Sequence, residues 1–188
     1  RKPSLLLSGI PFSLTIMTIL LAHEMGHYLT CRYYGISASL PYFIPAPTFI
    51  GTMGAFIKIR SPIQHRPALL EVGIAGPIAG CVLAIPALII AMTQSRLVVP
   101  DPSGGTIGLG EPLIFKAIEA LMGKTPPPGM DLNLHPIGLA AWFGFLATAL
   151  NLLPVGQLDG GHIAYALFGR FHKKISQDPS RFGHGAIE

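Results

Sequence analysis

Apolar runs free of charge divide the chain. Lys, Arg, Asp and Glu are missing from Pro3 to His23, from Val72 to Ser95 and from Leu132 to Leu158. A helix needs about 20 apolar residues to cross a bilayer, so three spans are expected, at about 5–30, 72–95 and 135–153. Pro11, Pro86 and Pro154 are expected to mark helix starts, kinks or breaks. Gly76, Gly80 and the alanines beside them allow close helix packing.

The joining segments read differently. SASLPYFIPAPTFIGTMGAFIKIRSP, between spans one and two, has too many prolines for a helix. Its FIGTMGAFIKIR part alternates, with Ile57 and Ile59 on one face and Lys58 and Arg60 on the other. That predicts one or two strands around a Gly turn. An open strand edge cannot face lipid, so the segment belongs at the interface or pairs with something. It reads either as an interfacial loop or as a strand that takes an extended substrate by edge pairing, through Gly54, Ala55, Phe56 and Ile57. In the loop after span two, EPLIFKAIEALM at 111–122 is amphipathic and is expected to lie on the membrane surface.

Composition supports a membrane protein. Charged residues are 12% of the 188, half the residues are hydrophobic and the mean hydropathy is +0.53. An average soluble domain carries about 25% charged residues. The net charge is +4, yet the longest basic run is Lys173-Lys174 and no aromatic residues interleave with it, which argues against nucleic acid. The charge instead reports topology. Eight of the 13 basic residues (Arg32, Lys58, Arg60, Arg66, Arg170, Lys173, Lys174 and Arg181) fall on the side holding residues 31–71 and the tail. Positive-inside logic makes that side cytoplasmic and the 96–131 loop exterior or luminal. Cys31 and Cys81 form no disulfide or zinc pattern. Arg1 opens the chain, which reads as excised from something longer. The expected fold is an all-α polytopic membrane protein, one domain over 1–188. It has a three-span core and a small interfacial β segment between spans one and two.

The chemistry starts at His23-Glu24-Met25-Gly26-His27. Four residues apart on a helix, His23 and His27 share a face and can hold one zinc ion. Glu24, beside the first of them, is placed to act as general base. A catalytic zinc takes three protein ligands. Thr30 and Tyr33 stand where a further helical extension of the motif would need Gly and His. Cys31, Glu71, Asp101 and His135 fit poorly. Asp159, in NLLPVGQLDGGH after the third span, returns to the same side and depth as the histidines, with His162 as its rival. Pro154, Gly156, Gly160 and Gly161 break the helix there and let the carboxylate turn inward.

HEMGH, GTMGAFIKIRSP, AGPIAG and NLLPVGQLDGGH together resemble the site-2 protease family of intramembrane zinc metalloproteases. The resemblance covers about residues 10–170, most of the chain. It implies that His23, His27 and Asp159 bind one zinc ion per chain, and that Glu24 is the catalytic base. It also implies that Asn151 lies by the site and helps hold the scissile carbonyl or its oxyanion. Gly80 departs from the pattern, since many members have Asn there.

The expected function is a zinc-dependent endopeptidase that cuts within or near transmembrane segments. Its expected partners are a transmembrane protein substrate and membrane lipid, and its expected place is the bacterial plasma membrane with the site toward the cytoplasm. A zinc transporter would repeat its ligands along several helices, and a non-catalytic scaffold would be expected to lose Glu24 or a ligand. The sequence sets neither the substrate nor the oligomeric state.

Overall fold

The computed structural model describes residues 9–46, 52–63, 65–99, 109–156 and 158–169. Along these run α1 (Ile10–Tyr33), β1 (Tyr42–Pro45), β2 (Thr52–Phe56), α2 (Arg66–Gln94) and β3 (Arg96–Val98). Then come α3 (Leu113–Leu121), β4 (Asp131–Asn133), α4 (Pro136–Asn151) and α5 (Asp159–Phe168). The fold is mostly helical, as expected, with two small antiparallel sheets rather than one: β1 with β2, and β3 with β4.

The three long helices follow the apolar runs. α1 carries Pro11 in its first turn, where the missing N–H costs nothing, and Arg32 in its last, where a cation suits the helix dipole. It stops at Gly35, whose φ of 67° lets Ile36 N–H reach back to the Cys31 carbonyl at 2.8 Å. α2 begins six residues before the expected span, because exposed Arg66 and Glu71 are tolerated in its opening turns. It runs on through Pro77 and Pro86. Pro154 lies in the break between α4 and α5.

Among the described residues, α2 alone is long and apolar enough to cross a membrane. Its most apolar stretch is only 33% buried, whereas the core helix of a soluble domain is mostly buried. α4 is apolar but has 16 residues, about 24 Å, short of a hydrocarbon core of about 30 Å.

The chain forms two compact units. One comprises Arg1–Leu20 and Cys81–Leu146. Its core gathers Leu88 and Met92 of α2, Phe115 and Ile118 of α3, and Ala141 of α4. The Phe115 and Phe145 rings meet edge to face at 6.1 Å. Leu97 pairs with Leu132 across β3 and β4. The Lys124 ammonium donates to the Met92 carbonyl in the last turn of α2, an acceptor the helix leaves open. The 111–122 segment expected on the membrane surface forms the helix α3, with one apolar face turned into this core and the other left exposed. Phe115 and Ile118 are 4% and 6% exposed, packed into this core, because the aliphatic last turns of α2 and α4 offer them a dry seat.

The other unit comprises Leu21–Gly80 and Ala147–Glu188. The strand predicted around Gly54 exists as β2, but its partner β1 lies upstream. Phe43 faces Ala55, Pro45 faces Thr52, and a bulge lies between. Thr52 Oγ1 donates to the Ile44 carbonyl, and Gly54 takes a φ of 121°. Ile57 and Lys58 fall just past β2, and Ile59 makes a lone bridge to Ala38. Residues 1–8, 47–51, 64, 100–108, 157 and 170–188 lie outside the described set, including the first residues of the expected span one, Asp101, and Arg170, Lys173, Lys174 and Arg181 of the charge count.

Candidate metal centre and active site

His23 and His27 lie one helical turn apart on α1, and their ring centroids are 4.9 Å apart. Both are buried, at 4% and 5% exposure. The backbone around them is tight. Gly26, between the histidines, has the Ala75 carbonyl where a Cβ would go, so α1 and α2 touch through their main chains. Gly76 lies against the His27 ring: a Cβ there would overlap Nε2, Cε1 and Cδ2. One turn earlier, the Val72 carbonyl accepts from His27 Nδ1 at 2.6 Å. Val72 and Gly76 thus make a seat on α2 that fixes both the plane and the tautomer of the second histidine.

Asp159 arrives by a different route. After Asn151 the chain makes a run of short turns, with Val155 N–H on the Leu153 carbonyl and Leu158 N–H on the Val155 carbonyl. Gly156 takes a φ of 52°. A side chain at Gly160 would collide with the Leu152 carbonyl, so this glycine lets the turn fold back on itself. The outcome puts Asp159 in the first turn of α5, where the open N–H groups favour a carboxylate.

The three donors converge. Asp159 Oδ2 lies 3.1 Å from His23 Nε2 and 3.2 Å from His27 Nε2. Among the described residues this is the group of His, Cys, Asp and Glu able to hold a metal ion, with donor atoms all within 4.8 Å of one another. His162, Cys31, Glu71 and His135 do not join it. Asn151, the last residue of α4, brings its amide nitrogen to 3.3 Å from His23 Nε2. Glu24 accepts a hydrogen bond from the backbone N–H of Ile57, just past β2.

The donor set fits zinc. With Nδ1–H committed to Val72, His27 presents the Nε2 lone pair inward, and that buried atom has no hydrogen-bond partner among the described residues. The Asp159 oxygen 3.2 Å away is not aligned to serve as one. Two acceptors facing each other in a buried site call for a cation between them. Two ligands about 2.0–2.1 Å from a tetrahedral zinc stand about 3.3 Å apart, close to the separations seen.

The sequence pattern of peptidase family M50 matches residues 11–183. The chain belongs to that family. Peptidase family M50 is the site-2 protease family, so the resemblance read from the four motifs holds. The expectations of a zinc-dependent peptidase and of zinc as its metal agree with M50 membership and with the donor set. The chain is 34% identical over 190 residues to a protein of Oryza sativa subsp. indica described as "Probable zinc metalloprotease EGY2, chloroplastic". That alignment covers 97% of this chain and 33% of the rice protein. It is 33% identical over 172 residues to the EGY2 protein of Arabidopsis thaliana, covering 88% of this chain and 30% of that one. It is 31% identical over 169 residues to the EGY1 protein of the same plant, covering 87% and 30%. The chain therefore spans about a third of the length of these M50 relatives. All three are described as chloroplastic, which lends no support to the expected bacterial plasma membrane.

The seat on α2 escaped the sequence reading. Gly76 was legible only as a small packing residue of the M50 chain, and a backbone acceptor such as Val72 has no residue-type signature. At Gly80, a Cβ would stand 3.4 Å from His23 Nδ1 and 3.5 Å from Thr148 Oγ1. The Asn that many M50 members carry there would therefore face the first histidine.

Proposed function

We propose that this chain is the catalytic core of a zinc endopeptidase that cuts other proteins within or beside their membrane-spanning segments. The observation that carries the reading is the triad of buried His23 and His27 with half-buried Asp159, and Glu24 next to its first member. Zinc, when bound, supplies Lewis acidity that polarises a peptide carbonyl and lowers the pKa of water to about 7. Glu24, steadied by Ile57 N–H, takes the proton from the attacking water and returns it to the leaving amine. Asn151 donates to the developing oxyanion from its place beside His23.

Three crossings, by α1, α2 and α4, are supported by what these helices expose. Leu14 and Leu29 on α1, Ile78, Val82 and Ile90 on α2, and Leu150 on α4 are 49–67% exposed. Such stripes suit lipid better than water. The active site then opens to the cytoplasmic side, where the basic residues gather. A membrane-spanning substrate hides its carbonyls in helical bonds, so it must unwind to be cut. Gly54, Ala55 and Phe56 of β2 offer the unwound stretch a strand edge, with Ile57 just past it next to Glu24.

Metal analysis with a cleavage assay tests the reading on the wild type, Glu24→Gln and Asp159→Ala. The wild type is expected to hold one zinc and cut a transmembrane substrate. Glu24→Gln keeps zinc and does not cut, while Asp159→Ala loses zinc. Zinc transport without cleavage would point to a transporter, and hydrolysis by purified Glu24→Gln would remove the assigned base. A reporter fused after Gly169 reads cytoplasmic, and an exterior signal there overturns the topology.

A further inference from the structure

α3 is built inside out for a helix in water. The carboxylate on it, Glu119, is 5% exposed, while Leu113 and Leu121 are 84% and 86% exposed. At 100° per residue, Ala120, Leu113, Ala117 and Leu121 form one continuous outer stripe, all exposed. Lys116 borders that stripe, 3.8 Å from Glu111. The opposite face, Phe115 and Ile118, is already spent on Leu88 and Met92 of α2. A helix apolar on both faces belongs in an apolar surrounding.

The depth of α3 follows from what it packs against. The 29 residues of α2 span about 43 Å, the thickness of a bilayer with its headgroups. Leu88 and Met92 lie about 9 Å and about 3 Å before the end of α2 at Gln94. α3 therefore sits where acyl chains meet headgroups. The residues just past α2 expose the same chemistry, with Leu97 at 46% and Val99 at 69%. The exposed stripe of α2 itself continues to Ile89 and Ile90, level with Leu88.

We propose that the outer stripe of α3 is a lipid-binding surface: Leu113, Ala117, Ala120 and Leu121 lie among the upper acyl chains, and the Lys116 ammonium sits at the lipid phosphates. Residues 109–133, with 96–99 at the end of α2, are then a half-sunken part of the membrane body and not a loop in water. One face of α3 is wedged against α2 and α4 and the other is immersed. Lys116 extends along the helix to reach the headgroups, as long cationic side chains do at interfaces. This inference rests on the membrane reading above and goes beyond it.

Leu113→Trp and Leu121→Trp, each in the whole chain reconstituted in phosphatidylcholine vesicles, test it. Some vesicles contain lipid brominated high on the acyl chain, and the emission of Trp142, the chain's one native tryptophan, is subtracted using the wild type. The added emission is expected to lie to the blue and to lose more than half its intensity to the bromines. Ile90→Trp, on the exposed stripe of α2, reports the membrane reading separately. Quenching at Ile90→Trp with red, unquenched emission from both α3 variants overturns the proposal and leaves the membrane reading standing. Blue but unquenched emission from α3 assigns the stripe to a protein, a second copy included, and equally overturns it. No quenching at any of the three positions removes the membrane reading and the proposal together.

Discussion

Replacing Gly76 by alanine sets a methyl group where the His27 imidazole lies. Even the least overlapped of the three ring atoms, Cδ2, would be 2.6 Å from the new Cβ. Ordinary contact begins near 3.4 Å, so the ring must retreat by at least about 0.8 Å. Zinc–ligand distances tolerate only about 0.2 Å. The same movement takes Nδ1 away from the Val72 carbonyl, now 2.6 Å distant, and frees the tautomer. Losing an outer partner of a metal-bound histidine typically costs about 10–100-fold in affinity, or about 1.4–2.7 kcal/mol, and here the ligand itself is displaced as well. The assay is zinc retained against a graded chelator, with circular dichroism and a thermal melt to show that the helices remain. Gly80→Ala is the control, because its Cβ would meet His23 at an unstrained 3.4–3.5 Å. That variant is expected to bind zinc as the wild type does. A folded Gly76→Ala protein with wild-type zinc affinity would refute the idea that α2 seats the second histidine.

Three further outcomes follow from the same geometry. Ile57→Pro removes the N–H that Glu24 accepts and breaks the end of the strand, so cleavage slows while zinc content stays level; an unchanged rate would exclude both roles. Asp159→Asn keeps the side chain's size but removes its charge between two imidazoles 3.1 and 3.2 Å away, so zinc is lost by dialysis, and full retention would show that the carboxylate is not a ligand. Burial pushes the Glu119 carboxyl above its ordinary value near 4.5. The folded state then binds the proton more readily than the unfolded state, and stability falls as pH rises through that window. Glu119→Gln is accordingly more heat-stable than the wild type at pH 8, with the gain shrinking as the pH is lowered toward the ordinary value near 4.5; a pH-independent difference would contradict the burial argument.

The parts of this fold that the sequence made legible are those with a long-range pattern. The courses of α1, α2 and α4 follow from charge-free apolar runs, although the starting point of α2 does not. Arg66 and Glu71 sit at its exposed end, where charge is harmless, so freedom from charge underestimates the helix. β3 and β4 were invisible, since three residues each, RLV and DLN, carry no period and pair across the 32 positions between Val98 and Asp131. α3 was recognised as amphipathic, but periodicity cannot say whether Phe115 and Ile118 meet lipid or protein. At the site, His23, Glu24 and His27 were readable from helical spacing, and Asp159 from the side of the membrane to which the third apolar run returns. Val72 and Gly76 were not readable as parts of the site. One acts through a backbone carbonyl and the other through the side chain it lacks.

Asp159 lies 136 residues after His23. A chain still leaving the ribosome carries the two histidines and Glu24 long before the carboxylate exists, and until α5 emerges it can offer the metal only two of its three donors. The metal site therefore stays incomplete until α5 has been made.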